Sequence, residues 1–78
     1  MAEPAGNVAL IEFIVKALVD EPEAVKVSEV DEGRLLELET SEGDRGRVIG
    51  RQGRVAKAMR AVLSASRDGR DCRLDIVD

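Results

Sequence analysis

One aromatic residue (Phe13), no histidine and a single cysteine (Cys72) set the first limits on this chain of 78 residues. Modules that hold RNA by stacking bases on aromatic rings would have almost nothing here to stack on. Without histidine, the commonest metal ligand and general base is missing. A lone cysteine excludes an internal disulfide and a cysteine cluster for zinc. Carboxylates are plentiful, but no pair stands in a recognisable catalytic context, so no catalytic residue, metal or cofactor is expected. Cys72 lies in an alternating segment and reads as a buried, inert thiol. No apolar run is long enough to cross a bilayer, since residues 8–19 are few and are interrupted by Glu12 and Lys16. The opening MAEPAGN carries Glu3 and no positive charge, unlike a secretory signal. The expected setting is therefore a reducing cytoplasm, with no membrane contact. A chain of this length suits one domain, residues 1–78 with a core over about 7–77, and has room for one sheet with helices on one face.

Acids outnumber bases, for a net charge of −4, yet they are unevenly spread. Residues 1–44 hold 12 acids and 3 bases, whereas residues 45–78 hold 9 bases and 4 acids. That asymmetry is expected where one face meets a polyanion. It fits equally well with charges that only solvate a helix, and composition does not choose between the two.

Hydrophobic spacing predicts the order of elements. Val8, Ile11, Ile14, Val15 and Leu18 recur at helical intervals, with Glu12, Lys16 and Asp20 on the other side, so residues 8–20 read as an amphipathic helix. Asn7 is placed to cap it, and Pro22 disfavours helix at Glu21. Phe13 falls beyond the apolar arc, which leaves a core helix or one partly exposed for a partner as alternatives. Residues 24–30 and 34–40 alternate as strands, joined by Asp31-Glu32-Gly33 into an antiparallel hairpin whose outer acids would form a negative face. Asp44 is a plausible cap for a short helix over 45–49. A longer helix follows over 54–66, with Val55, Ala58, Met59, Val62 and Leu63 on one face and Arg54, Lys57, Arg60 and Ser64 on the other. Asp68-Gly69 stops it, and 70–77 alternates again, with Cys72, Leu74 and Ile76 opposite Arg73, Asp75 and Val77. The fold class is α+β, in the order α-β-β-α-α-β, with three helices on one face of a three-stranded sheet.

The chemistry concentrates in Arg47-Val48-Ile49-Gly50-Arg51-Gln52-Gly53-Arg54-Val55-Ala56-Lys57. Two glycines separated by two polar residues join one helix directly to the next. Glycine accepts backbone angles closed to other residues and keeps no Cβ between the chain and a ligand. The first N–H groups of the following helix lack internal partners and carry partial positive charge, a natural place for phosphate. Arg51, Arg54 and Lys57 add full charges. In isolation this spacing fits a helix–turn–helix corner as well as a ligand loop. A nucleotide P-loop fits less well, because no Gly-Lys-Ser/Thr ending and no preceding strand are present.

The stretch from Gly46 to Arg60 (GRVIGRQGRVAKAMR) resembles the signature of the small bacterial single-KH proteins of the KhpA type. The element order matches the type II KH arrangement, and the similarity covers essentially the whole chain. Arg45 stands where an apolar residue is expected, and Val55 replaces a frequent threonine. The resemblance implies binding of single-stranded RNA, with about four nucleotides in an apolar groove beside the loop. It places Gly50 and Gly53 against the RNA backbone and Arg51 and Gln52 on phosphate or ribose. Arg54 and Lys57 would extend the positive edge, with Val48, Ile49, Val55 and Leu38 on the groove floor or, alternatively, in the core. Arg47 and Arg60 would be outer contacts or plain surface. The resemblance further implies a homodimer, a second KH-containing partner of the Jag type, and a role as RNA chaperone or post-transcriptional regulator linked to cell elongation and division. The alternative is a protein-interaction module, dimerising but with little RNA affinity of its own.

Overall fold

The computed structural model describes residues 6–65 and 72–77. Among these, helix α1 spans Gly6–Leu18, strand β1 Lys26–Val30, strand β2 Leu35–Glu39, helix α2 Glu42–Ile49, helix α3 Arg54–Ala65 and strand β3 Arg73–Ile76. This is the expected α+β order. Serine 66, Arg70 and Asp71, assigned above to the ends of the last helix and strand, and the Asp68-Gly69 stop lie outside the described residues.

Helix α1 already includes Gly6, the first described residue, and Asn7 is buried within the helix. At its other end Val19 N–H still reaches the Val15 carbonyl, at 3.1 Å. The next two N–H groups, of Asp20 and Glu21, turn instead to the carboxylate of Asp44, at 3.1 and 3.0 Å. Pro22 then opens a 3-10 turn over Pro22–Ala24, which takes up Ala24, assigned above to the beginning of β1, while Val25 leads in extended backbone to the strand.

Strands β1 and β2 pair antiparallel, with Lys26 opposite Glu39 and Val27 opposite Leu38. The hairpin between them places Asp31, Glu32 and Gly33 all at positive φ. After the two remaining helices the chain returns as β3, parallel to β2, giving the sheet order β1-β2-β3. Alternation sends Leu36, Leu38, Leu74 and Ile76 towards the helices. With Ile11, Val15, Val25, Val48, Met59 and Leu63 the buried members of this set form one cluster drawn from every helix. Each such side chain, fully buried, contributes roughly 1.5–3 kcal/mol relative to exposure.

The opposite face of the sheet carries Lys26, Ser28, Glu37, Glu39, Arg73 and Asp75 by the same register. It is mixed in charge rather than negative as expected. Glutamate 29 is absent from it because its partner is Leu36, on the helix side, where it stays exposed at the edge strand. An inward charge there discourages a second sheet from pairing with β1.

Candidate nucleic-acid interface

Helix α2 begins earlier than expected, at Glu42 after Ser41, so Asp44 lies in its first turn and is not its cap. Asp44 is almost wholly buried, and its carboxylate accepts the Asp20 and Glu21 N–H groups and the Ser41 hydroxyl, the last at 3.0 Å. The N–H of Asp20, followed by that of Glu21, the Ser41 hydroxyl and the Arg47 charge, holds its carboxyl below the ordinary range against the opposing effect of burial. The carboxylate thus ties the end of α1 to the start of α2. Arg47 completes the tie: its guanidinium lies 3.1 Å from the Asp20 carboxylate and 3.8 Å from Asp44.

Helix α2 ends at Gly50, whose N–H donates to the Gly46 carbonyl at 2.8 Å. With φ 82° and ψ 166°, Gly50 occupies a region essentially restricted to glycine. A Cβ there would stand 2.5 Å from Val55 Cγ2 and 2.7 Å from the Val55 nitrogen. Gly53 differs. Its φ is 74°, but a Cβ would meet nothing within 4 Å. Between them the chain makes a 3-10 turn over Arg51–Gly53, with Gln52 at φ 58°.

The turn changes which amides are free. Gly53 N–H donates to the Gly50 carbonyl at 3.0 Å, and Arg54 N–H to that of Arg51. Of the N–H groups at the start of α3, that of Arg54 is therefore engaged within the turn. The N–H groups of Arg51 and Gln52 precede these two and have no acceptor within the turn, as at the start of any 3-10 helix. They follow one another beside a left-handed residue, and successive amides in such a turn make a small concavity suited to anions.

The side chains around this turn divide into two groups. Arg51, Gln52, Arg54 and Lys57 are exposed, and among the described residues no carboxylate pairs with any of these cations. Arg54 leans back to the Gln52 side-chain oxygen at 3.3 Å. Arg47, by contrast, is committed to Asp20 and Asp44. The apolar residues divide as well. Val48 and Leu38 have no exposed surface and can only support a groove from beneath, whereas Ile49 is exposed and Val55 half-buried. Arg60, assigned above to the margin, donates its Nε to the Leu74 carbonyl at 3.3 Å.

Elsewhere, Cys72 is half-buried, and burial, then the nearby Glu29 charge, pushes its thiol up. Among the described residues no group of His, Cys, Asp and Glu could hold a metal ion, and no helix is long and apolar enough to cross a membrane.

The α+β fold is consistent with the KH domain that comparison with known proteins finds. The family model for the KhpA/KhpB KH domain matches residues 8–76. The RNA-binding protein KhpA of Halalkalibacterium halodurans is 51% identical over 73 residues, covering 88% of this chain and 96% of that protein. The RNA-binding protein KhpA of Borreliella burgdorferi is 43% identical over 82 residues, covering both chains in full. That of Clostridium perfringens is 54% identical over 59 residues, covering 73% of this chain and 79% of that protein. No solved structure matches. The chain belongs to the KhpA/KhpB family of KH-domain proteins.

Proposed function

We propose that this protein is a single KH domain that binds single-stranded RNA in the cytoplasm, gripping its backbone at Gly50-Arg51-Gln52-Gly53. The observation that carries the reading is the pair of amides at Arg51 and Gln52 that the turn leaves without an acceptor of its own, set between two glycines and beside cations that no carboxylate of the described residues pairs with. A phosphate oxygen can accept from both amides while Arg51, Arg54 and Lys57 supply charge. Gly50, packed on Val55, fixes the turn, and Gly53 leaves its outer side open for the sugar-phosphate chain. Ile49 and Val55 offer apolar surface next to it. The relatives are named for RNA binding, which favours a binding module over an enzyme.

The reading extends to a regulator or RNA chaperone that self-associates and pairs with a second KH protein of the Jag type in the control of cell elongation and division. Its support is the resemblance and a family model named for two proteins, KhpA and KhpB. A module for protein contact alone is the second reading, favoured by Phe13, which is 75% exposed, and by Val62 on α3.

Replacement of Arg51 and Gln52 together by Asp separates the two. Both side chains are exposed, so the fold stays intact while two carboxylates face the phosphate. RNA binding is expected to be lost in a gel shift, with circular dichroism unchanged. In the unaltered protein, three phosphate contacts by Arg51, Arg54 and Lys57 give a slope of log K against log salt near about −2, at roughly −0.7 for each contact. Undiminished binding by the folded variant, or a flat salt response, excludes this loop as the RNA contact.

A further inference from the structure

The charged edge of the loop does not stop at Lys57. Arg54, Lys57 and Arg60 recur every three residues, so each lies about 60° round α3 from the one before, and the row winds along the helix. Its far end is anchored by the Arg60 Nε bond to the Leu74 carbonyl oxygen. Sheet order makes β3 an edge strand. Arg73 and Val77 direct their N–H groups inward, to Arg34 and Leu38 of the β2 side, at 2.8 and 2.9 Å. The alternation of a parallel ladder then points the N–H and C=O groups of Leu74 and Ile76 away from β2, over the open edge. The Arg60 guanidinium is held across that edge by a neutral carbonyl. Among the described residues no carboxylate pairs with it.

Of five N–H donors on a guanidinium, this bond uses one and orients the group's plane. The side chain is exposed, and its terminal Nη groups find no acceptor among the described residues. We propose that Arg60 is a specificity-determining residue that reads a base rather than a phosphate. It would present its two Nη groups to two adjacent acceptors on an unstacked base. This rests on the RNA-binding reading above. Backbone contacts at the loop carry no sequence information, whereas a rigid two-donor fork does. Arg60 lies about 9 Å along the helix from Arg54, within the span of the roughly four nucleotides that a KH domain holds.

The shared chemistry of the preferred bases is a pair of neighbouring acceptors, as in guanine O6 and N7 or cytosine O2 and N3. Adenine and uracil have no two adjacent acceptors and meet the fork with only one bond. The occupied Leu74 carbonyl sharpens the choice. It is the acceptor this part of the strand edge would offer to an adenine amino group, and Arg60 already takes it. One lone pair of that oxygen stays free, so adenine is disfavoured there rather than excluded.

Fluorescence anisotropy with uridine octamers carrying one cytidine, guanosine or adenosine walked through each position tests this. The unaltered protein is expected to prefer cytidine or guanosine at one position by about five- to 150-fold. Arg60→Lys keeps the charge and loses the fork; the preference is expected to collapse to within about twofold while affinity for plain uridine octamer stays the same. Arg60→Gln, with a single amide, serves where the lysine variant does not fold. Retention of the preference in a folded variant overturns the proposal, as does equal ranking of all four bases by the unaltered protein. A uniform loss across every octamer, with a shallower salt dependence, would make Arg60 a phosphate contact. Failure of the unaltered protein to bind any octamer would overturn the RNA reading itself, and this assignment with it.

Discussion

Gly50 and Gly53 look equivalent in sequence, but their replacement by alanine is expected to have very different consequences. At Gly50 two effects coincide. The backbone, at φ 82° and ψ 166°, lies in a region that disfavours any Cβ, with strain of about 1–3 kcal/mol. The added methyl would also sit 2.5 Å from Val55 Cγ2, 2.8 Å from its Cβ and 2.7 Å from its nitrogen, well inside the 3.5–4.0 Å of an ordinary contact. Overpacking of this kind typically destabilises by about 1–3 kcal/mol. A gain of about 0.4–1 kcal/mol from a less flexible unfolded chain offsets little of it. The expected loss for Gly50→Ala is roughly 3 kcal/mol, within a span of about 1–6. At Gly53 only the left-handed backbone counts, at about 1–2 kcal/mol, and the same offset leaves roughly 1 kcal/mol.

For a chain of 78 residues, total stability falls at about 4–12 kcal/mol. Gly50→Ala therefore removes much of it, whereas Gly53→Ala leaves a folded protein. Urea denaturation at constant m-value measures both. The double variant Gly50→Ala/Val55→Ala adds a sharper test. It removes Val55 Cγ2 but keeps the nitrogen and Cβ, so rescue is expected to be partial at most. Equal destabilisation by the two glycine variants, within about 0.5 kcal/mol, would refute the steric argument. Full rescue by Val55→Ala would refute it too, because the obstruction would then be the side chain alone.

Two further outcomes are expected. Asp44→Asn weakens the tie between α1 and α2 and flattens the acid limb of the stability curve. The Asp44 carboxyl is held low when folded, so its contribution is fully present above the unfolded value near about 4 and is lost as pH falls through the lower folded value; identical acid dependence of the variant and the parent, by thermal melting between pH 6 and 3, would contradict it. Self-association is expected to show in sedimentation equilibrium at micromolar concentration, since a chain this small gains from burying further apolar surface such as Phe13; a monomer mass throughout rejects the dimer.

What could be read from the sequence depended on whether the deciding contact was periodic. Leu36 and Leu38 alternate with glutamates, and Ile11, Val15, Met59 and Leu63 keep helical spacing, so five of the six elements and much of the core follow from periods of 2 and 3.6. Helix α2 has only eight residues, too few turns for spacing to tell a core position from a groove position at Val48. Asp44 was unreadable for another reason. A carboxylate at the start of a helix is an ordinary local pattern, but its partners Asp20 and Glu21 lie 24 and 23 residues away in the chain. Arg47 belongs to the same non-local cluster. The difference between the two glycines depends on Val55 folding back over Gly50, which spacing alone does not encode.

The net charge of −4 argues against a polyanionic ligand only if every charge acts on it equally, and the fold separates them. Arg51, Arg54, Lys57 and Arg60 follow one another from the loop along α3, on the helix layer. Glu37, Glu39 and Asp75 lie on the opposite face of the sheet, across a molecule whose smallest extent is 20 Å. At physiological salt the screening length is about 8 Å, so across that thickness their repulsion is reduced to roughly a tenth of its unscreened strength. Arg47 shows the converse. It counts as a base in the composition, yet at 3.1 Å from Asp20 its charge is already matched before any ligand arrives. The potential a phosphate meets at the loop is set by the nearby unpaired cations rather than by the sum over the chain.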